Sequence, residues 1–482
     1  MSAPFRRSLE IGADDIVVDN FAGGGGASTG LRAALRRPVD VAINHSPVAI
    51  AMHGLNHPDT HHYCESVWKV DPREVAGSRR VAYVWLSPDC THFSRAAGCR
   101  PRSKGIRSLA WTTIRWARLP ADKRPLVMFL ENVEEFEDWG PLDEEGYPDK
   151  SRKGKTFRAF VAKLRSYGYV VEWRRIVAAD HGAPTTRRRL FMVARCDGRP
   201  IVWPEATHGK GLAQPWRTAA EVIDWSIPCP SIFGRKKPLA EKTMWRIAAG
   251  LKRFVIDAAS PFIVPVTHQQ KSPRVHGLDE PFRTITAANR GELALVTPFV
   301  APVKSWGGGG NDARSIVEPL RTITASKRGE HALIVPTLIQ TGYGERDGQA
   351  PRVPGLGKPL GTVVAGGQKH ALVTAFLAKH YGGMVGHGVG RPIGTVTAKD
   401  RFGLVTVHGV DYVITDVGLR MLAPRELYNA QGFPADYIID FEFNGRPVTK
   451  TDQIELVGNS VCPDVAEAIV AANIYERRAR AA

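Results

Sequence analysis

The feature that most restricts the fold of this chain is a glycine-rich turn between a predicted strand and a predicted helix. Residues 15–19 form a short apolar strand, and the turn that follows contains four consecutive glycines before a helical stretch at 31–36. Glycines let the backbone approach a ligand closely and adopt positive φ. Strand, glycine-rich turn and helix in this order are typical of the first βαβ unit of a nucleotide-binding α/β domain. The turn lacks the pattern of a triphosphate-binding loop, so a dinucleotide or an adenosyl cofactor suits it better.

A cysteine lies just beyond another predicted strand. Residues 81–86 form a buried apolar strand that must end at Pro88, and Cys90 follows in the loop. In an open α/β sheet, ligands bind at the carboxyl ends of the strands. A thiol at this edge is a nucleophile if its pKa is lowered or if a substrate meets it in suitable geometry. A buried structural cysteine is the alternative.

Charged side chains follow or precede two further apolar strands. Glu131 ends a strand predicted at 126–130, so its carboxyl group reaches the same sheet edge and is a candidate general acid or base. Arg187 and Arg189 alternate just before a strand predicted at 190–194. Alternation directs both guanidinium groups the same way, which suits an anion or a base edge.

The charge of the chain indicates a polyanionic partner. The 482 residues, enough for two or three domains, carry a formal charge of +17 with a pI near 9.7, and nucleic acid is the first candidate. No apolar run approaches the roughly 20 residues that span a bilayer, and the N-terminus lacks the apolar core of a signal peptide. We therefore expect no membrane association and a cytoplasmic location.

The six cysteines predict neither a disulfide framework nor a zinc site. They are widely scattered, and no Cys-x-x-Cys pair occurs. His57, His61, His62 and Cys64 lie close together, but without a second ligand pair we interpret this stretch as loop surface and expect no metal.

The composition changes after about residue 198 to proline, glycine and short β-type runs. Four copies of a related segment occur there, with prolines that are 38, 40 and 33 residues apart, at Pro281, Pro319, Pro359 and Pro392. From about 419 the pattern is α/β again. We therefore predict a doubly wound, Rossmann-like α/β domain formed by residues 1–198 and 419–482, with a mainly β repeat region at 199–418 inserted in it. The repeats form either a binding surface or only a scaffold.

These segments, in their order, resemble the cytosine-C5 DNA methyltransferase family. The resemblance covers residues 15–195 and 419–478 and rests on five motifs. These are the turn at 21–26, the segment Cys-Thr-His-Phe-Ser at 90–94, Glu-Asn-Val at 131–133, Thr-Thr-Arg-Arg-Arg at 185–189, and the closing segments at 425–434 and 458–461. The family places its variable target-recognition region where the repeats lie.

The resemblance implies a DNA (cytosine-5-)-methyltransferase that flips a cytosine out of a specific sequence in duplex DNA. The resemblance leaves open whether the enzyme belongs to a restriction-modification pair or protects a phage genome. It further implies that Cys90 adds to C6, Glu131 holds a proton at N3, Arg187 orients the base and Arg189 supports the nucleophile loop. S-adenosylmethionine is the implied cofactor, and the enzyme is expected to act as a monomer. The implied cofactor contacts are Asp19, Phe21, Ala22, Gly23, Gly25, Gly26, Asn44, Glu65, Ser87, Asn459 and Ser460.

Three other interpretations stay open at this point. The chain could be a non-catalytic DNA-binding protein on a methyltransferase scaffold, an RNA cytosine-C5 methyltransferase, or a nicotinamide-dependent dehydrogenase. The family usually has proline directly before the nucleophile, whereas Asp89 occupies that position here. Its negative charge is expected to raise the pKa of Cys90, so a cation such as Arg189 would have to offset it.

Overall fold

A computed structural model describes residues 11–93, 101–239 and 417–474 with their side chains, together with 243–244, 247–248 and the course of the strands between 262 and 416. The chain divides into two compact units. One comprises Met1–Pro215 and Tyr428–Ala482, and the other comprises Trp216–Leu427.

The first unit is built on a seven-stranded mixed sheet with the order β3-β2-β1-β4-β5-β7-β6. Strands β1 to β5 are parallel, and β7 runs antiparallel to both β5 and β6. The carboxyl ends of β1 to β6 and the start of β7 therefore share one edge. The strands are β1 (Ile16–Asn20), β2 (Val41–Asn44), β3 (His61–Cys64), β4 (Val81–Leu86), β5 (Val127–Asn132), β6 (Val170–Val177) and β7 (Arg188–Arg195).

The central strands are apolar because both faces of the sheet are covered. In β1, Ile16 belongs to one core cluster and its neighbour Val17 to the other, since successive side chains point to opposite faces. Helix residues complete each cluster, among them Phe160 on the first face and Leu31 and Ile469 on the second. This is the Rossmann-like, doubly wound α/β fold that the sequence predicts.

The helices of the first unit begin where the sequence supplies suitable caps. Ser46 and Asp71 accept backbone N–H groups at the starts of α2 and α3, and each of these helices has proline at its first position. The helices are α1 (Gly26–Leu35), α2 (Pro47–Asn56), α3 (Pro72–Ala76), α4 (Lys104–Arg107), α5 (Thr112–Ala117), α6 (Lys155–Ser166), α7 (Pro424–Ala430), α8 (Lys450–Asn459) and α9 (Pro463–Ile474), of which α7 spans the boundary between the units.

One local prediction was wrong, and one helix was not predicted. The stretch interpreted as loop surface contains β3, which pairs in parallel with β2, and His57 is buried. Helix α8 was also missed; Thr449 and Asp452 form a capping box at its start. Strand β3 lies at the edge of the sheet and has polar side chains, so its sequence shows little of the hydrophobic alternation that predicts a strand. Its conformation is determined by its pairing with β2.

The second unit contains a nine-stranded sheet, largely antiparallel. Its strands are Phe262–Pro265, His276–Gly277, Leu293–Ala294, Phe299–Pro302, Arg314–Ser315, His331–Gln340, His370–Lys379, Leu404–Val407 and Val410–Met421; Thr286–Gly291 and Val363–Gln368 form a separate parallel pair. The four repeats lie largely outside the residues described in full. In the described part of the chain, no helix is long and apolar enough to cross a membrane.

Candidate active site

The turn that carries Cys90 follows directly from β4. Asp89 Oδ1 accepts the backbone N–H of Thr91 at 2.6 Å, and the carbonyl of Cys90 accepts the N–H of Phe93 at 2.9 Å. These two bonds close a tight turn around Cys90 and leave its side chain half-buried. Asp89 itself is exposed, so its carboxylate holds the turn from the solvent side.

Neighbouring elements anchor this turn on both sides. Asn132, at the end of β5, donates its Nδ2–H to the carbonyl of Pro88 at 2.9 Å. Phe93 packs edge-on against Phe136 and Trp139, with centroid distances of 5.1 and 5.6 Å. The Arg107 guanidinium lies 5.1 Å from the centre of the Phe93 ring. The position of Cys90 is thus tied to the sheet and to an aromatic cluster.

Glu131 lies between two arginines that the sequence places more than fifty residues away. Its Oε1 is 3.3 Å from Nε of Arg189 and 3.9 Å from Nη2 of Arg187. The carboxyl group is buried, and its Oε1 has no hydrogen-bond partner among the residues that the structure describes. Arg187 also donates from Nη1 to the carbonyl of Gly458 at 3.0 Å. Arg187 therefore ties the closing segment to the site.

Burial dominates the electrostatics of this site. It raises the pKa of Cys90 to about 11, and the cation of Arg189 opposes this effect while the carboxyl groups of Glu131 and Asp89 add to it. Burial likewise raises the pKa of Glu131 against the lowering effect of both arginines. It lowers the pKa of Arg187 to about 10. The cysteine is therefore a thiol at neutral pH, and the glutamate holds a proton more readily than in water.

A small cavity of about 10 Å³ lies beside Glu131, room for about one water. Its wall includes Cys462, whose Sγ donates to Oε1 of Gln431 at 2.9 Å. Nε2 of Gln431 in turn donates to the carbonyl of Val457 at 2.7 Å. Cys462 could not be placed here from the sequence, because no local pattern links it to Glu131.

The glycine-rich turn presents two residues outward and packs the others against protein. Phe21 and Gly23 are half-buried and have positive φ of 72° and 52°. Ala22 and the three glycines at 24–26 are buried. A Cβ on Gly25 would overlap Tyr437 Oη, and one on Gly26 would overlap the Val461 carbonyl. A Cβ on Gly23 would meet only the Phe21 carbonyl, at 3.8 Å. The open side of the turn is therefore at Phe21 and Gly23.

Two buried polar atoms flank this turn without a hydrogen-bond partner among the described residues, Oδ1 of Asp19 and Oγ of Ser460. The Oγ of Ser460 lies beside Gly26. A buried polar atom without a hydrogen-bond partner costs free energy. A ligand that supplies the missing partner would remove this cost. Burial raises the pKa of Asp19 to about 7. The turn therefore fits a cofactor that carries cationic and hydroxyl groups.

The remaining predicted cofactor residues lie at or near the same edge of the sheet. Asn44 ends β2, and its Oδ1 accepts the N–H of Ser46 at 2.8 Å. Glu65 follows β3, is exposed and pairs with Lys69 at 3.1 Å. Ser87 follows β4 and accepts the indole N–H of Trp85 at 2.9 Å, and Asn459 is exposed at the end of α8.

Sequence reasoning missed a row of buried polar side chains behind the glycine turn. Ser28 on α1 hydrogen-bonds both Asp19 and His53, and His53 hydrogen-bonds His62 on β3. His57 lies alongside, with its ring centre 4.5 Å from that of His53. No three histidine, cysteine, aspartate or glutamate side chains could hold a metal together within the described ranges. The only signal in the sequence was the local density of histidine.

Comparison with known proteins identifies one family. The family model described as C-5 cytosine-specific DNA methylase matches residues 16–210 and 387–475, more than half of the chain. Among curated relatives, the Type II methyltransferase M.SacI of Streptomyces achromogenes is 26% identical over 40% of this chain and 50% of its own length. The Type II methyltransferase M.AgeI of Thalassovita gelatinovora is 28% identical over 40% of this chain and 42% of its own. The chain thus spans about half the length of these relatives.

The chain has a weak similarity to two solved structures. The Entamoeba histolytica methyltransferase EhMeth is 14% identical, with a TM-score of 0.47, over 96% of this chain and 100% of its own. The S. pombe Dnmt2 methyltransferase is 11% identical, with a TM-score of 0.46, over 95% of this chain and 97% of its own.

Proposed function

Because the chain belongs to the C-5 cytosine-specific DNA methylase family, we propose that it methylates C5 of cytosine in duplex DNA. The observation that carries this proposal is the convergence of four side chains at one sheet edge. Glu131 lies within 4 Å of Arg187 and Arg189, and all three charges act on the Cys90 thiol. Burying ionisable side chains costs free energy, and a non-catalytic DNA-binding protein would gain nothing from this arrangement.

In this proposal Cys90 is the nucleophile. C5 of cytosine is a poor nucleophile until a thiolate adds at C6 and makes the ring an enamine. The Cys90 thiol gives up its proton to water as its sulfur bonds to C6, so electron density reaches C5. Once C5 carries the methyl group, water removes the C5 proton. The electron pair left behind re-forms the C5=C6 double bond and expels Cys90 from C6 as a thiolate. The thiol is a weak acid in the free protein, so deprotonation accompanies arrival of the base.

Glu131 supplies the proton that the addition requires. Addition at C6 places negative charge on the ring, and a proton held at N3 neutralises it. A buried carboxyl group with a raised pKa holds such a proton near neutral pH. Arg189 and Arg187 then serve two purposes: they limit how far the pKa of Glu131 rises, and they bind the base or its phosphate.

The glycine-rich turn would hold S-adenosylmethionine, which supplies an electrophilic methyl group when bound. Phe21 and Gly23 present the open side of the turn, and Asp19 and Ser460 offer their unpaired oxygens to it. Asn44 and Glu65 extend from the ends of β2 and β3, where ribose and base contacts are made in sheets of this kind. Ala22, Gly25, Gly26, Ser87 and Asn459 complete the proposed contacts.

The substrate would be duplex DNA with the target cytosine flipped out, since its C5 and C6 lie within the base stack. The charge of +17 provides affinity for phosphates, and the inserted β region, predicted at 199–418, would select the sequence. We expect the enzyme to act as a monomer in the cytoplasm.

A trapping experiment tests the nucleophile. Duplex DNA with 5-fluorocytosine at target sites should form a covalent complex with the protein and S-adenosylmethionine, because fluorine cannot leave C5 as a proton does. Cys90→Ala should form no complex and transfer no methyl group, yet bind the cofactor in calorimetry. Cys196→Ala removes a half-buried cysteine that bonds Pro125 and should behave as wild type. Normal turnover by Cys90→Ala would refute the assignment.

A second pair of variants tests the acid. Glu131→Gln should lower turnover by about 100-fold or more, with little loss of DNA affinity. Glu134→Gln is the control, since Glu134 is a nearby carboxylate that pairs with exposed Arg188. Turnover near wild type in Glu131→Gln would remove Glu131 from the mechanism. Competition of structured RNA against duplex DNA in the same assay decides between nucleic acids.

A further inference from the structure

A continuous chain of hydrogen bonds leads from the glycine turn to the edge of the sheet. Ser28 Oγ is 2.7 Å from Asp19 Oδ2, and His53 Nε2 is 2.9 Å from Ser28 Oγ. His53 Nδ1 is 2.8 Å from His62 Nε2. Asp19, Ser28 and His53 have no exposed surface, whereas His62 on edge strand β3 is half-buried. The chain therefore connects a buried carboxyl group with solvent.

Each link of this chain can carry a proton in either direction. When Asp19 is ionised, its oxygen accepts from Ser28, Ser28 accepts from His53 Nε2–H, and His53 Nδ1 accepts from His62. When Asp19 is protonated, every bond reverses, because hydroxyl and imidazole groups both donate and accept. One reversal moves a proton from Asp19 to Ser28, from Ser28 to His53 and from His53 to His62. Half-buried His62 then gives up the proton of its other ring nitrogen, which lies near the backbone of Thr60, to water. The net change is the loss of one proton from Asp19.

The other titratable groups around the chain do not compete for this path. His57 stacks on His53 and contacts Thr29 Oγ1 at 3.3 Å, so its Nε2 faces the glycine turn. Tyr437 donates to the carbonyl of Gly24 at 2.8 Å, and burial raises its pKa. Burial and the cation of Arg32 lower the pKa of His57 to about 4, so it is neutral near pH 7.

We propose that Ser28, His53 and His62 form a proton relay through which Asp19 releases its proton to solvent when a cationic cofactor binds at the glycine turn. The inference rests on the proposed function, since the sulfonium and ammonium groups of S-adenosylmethionine are the cations in question. Burial favours the neutral carboxyl group in the cofactor-free protein, and a bound cation favours the carboxylate. Oδ1 of Asp19 supplies the buried, unpaired oxygen that such a cation would meet. The three relay residues position Asp19 and carry its proton away without contacting the cofactor.

The test measures proton release separately from cofactor binding. S-adenosylmethionine is mixed with the whole chain below the pKa of about 7 that burial gives Asp19. Intrinsic fluorescence follows binding, and a pH-indicator dye in weak buffer follows protons. Wild type should release up to one proton as fast as it binds. Asp19→Asn should release none. His53→Phe and Ser28→Ala break the relay at different links and should slow release by about tenfold or more relative to binding.

His61→Gln is the matched control, because His61 is an exposed histidine on the same strand whose ring contacts Tyr63. His61 acts on His62 only electrostatically and is not a link in the chain of hydrogen bonds. The His61→Gln variant should release the proton at the wild-type rate. Circular dichroism confirms that each variant is folded, and two broken links keep the test valid if one variant does not fold. Binding without proton release in wild type, or wild-type release rates in both broken variants, would overturn the relay. Absence of any binding by wild type would instead count against the proposed function.

Discussion

The side chain of Asn132 donates to the main-chain carbonyl of Pro88 across 2.9 Å, which joins the strand that carries Glu131 to the turn that carries Cys90. The same side chain accepts the N–H of Val133 through Oδ1 at 2.9 Å, so both of its polar ends are used. Asn132 is fully buried. One residue therefore fixes the separation of the proposed acid and the proposed nucleophile.

Asn132→Ala should impair catalysis beyond its effect on stability. Loss of the bonds leaves the Pro88 carbonyl unpaired in the core, which should lower the free energy of unfolding by about 1–3 kcal/mol. The turn also loses its anchor, so kcat should fall while cofactor affinity stays near wild type. Asn473→Ala is the control, because Asn473 is a buried asparagine that bonds Val202 and Ile469 in the core. Urea denaturation and steady-state methylation measure the two effects; equal loss of kcat in both variants would contradict the role of Asn132.

Arg189→Gln should make the Cys90 thiol harder to ionise. The Arg189 cation is the largest influence that lowers the pKa of Cys90 below what burial alone would give, so its removal raises that pKa above about 11. Alkylation of Cys90 by iodoacetamide, followed by peptide mass spectrometry between neutral and alkaline pH, should be slower than in wild type. Arg188→Gln removes an exposed cation that pairs with Glu134 at 2.7 Å and should leave the alkylation profile unchanged. Identical profiles for all three proteins would show that Arg189 does not act on the thiol.

Alanine substitutions should separate the two roles of the glycine turn. Gly26→Ala places a Cβ against the Val461 carbonyl, and this overpacking should cost about 3 kcal/mol of stability. Gly23→Ala creates no such overlap, but its alanine must adopt the same positive φ, which should lower the free energy of unfolding by about 1–2 kcal/mol. It should also weaken cofactor binding, because Gly23 lies on the open side of the turn. Chemical denaturation and calorimetric titration distinguish them. A larger stability loss at Gly23 than at Gly26 would run against this division.

The buried carboxyl group of Asp19 should leave a signature in the pH dependence of stability. Its folded pKa, about 7, lies above the unfolded value of about 3.9, so its stabilising contribution is complete below the unfolded pKa. That contribution is lost as pH rises from about 4 to about 7. The free energy of unfolding of wild type should therefore fall relative to Asp19→Asn over this window in cofactor-free protein. Parallel stability curves for the two proteins would mean that Asp19 is not perturbed.

The α/β class, the order of the central strands along the chain and the family could all be predicted from the amino-acid sequence. Apolar runs such as Val81–Leu86 are buried on both faces, and their hydrophobicity is a local property that can be read directly. The glycine turn and the segments that carry Cys90, Glu131 and Arg187 could be recognised because each is a short contiguous pattern. Cys90 and Glu131 reach one edge because β4 and β5 are parallel, whereas Arg187 reaches it because β7 begins there and runs antiparallel to β5.

The surroundings of those residues depend on how the whole chain folds, and the folded structure shows them. It placed Arg187 against Gly458 and Glu131 near Cys462, pairs that are hundreds of residues apart. Burial raises the pKa of Cys90, and burial depends on the folded environment rather than on the residues next to Cys90 in the sequence. The folded structure also assembles the relay, in which His53 on α2 hydrogen-bonds His62 on β3 and Ser28 on α1. Side chains on three separate elements meet there only after β1, β2 and β3 have paired, and no local pattern encodes that meeting.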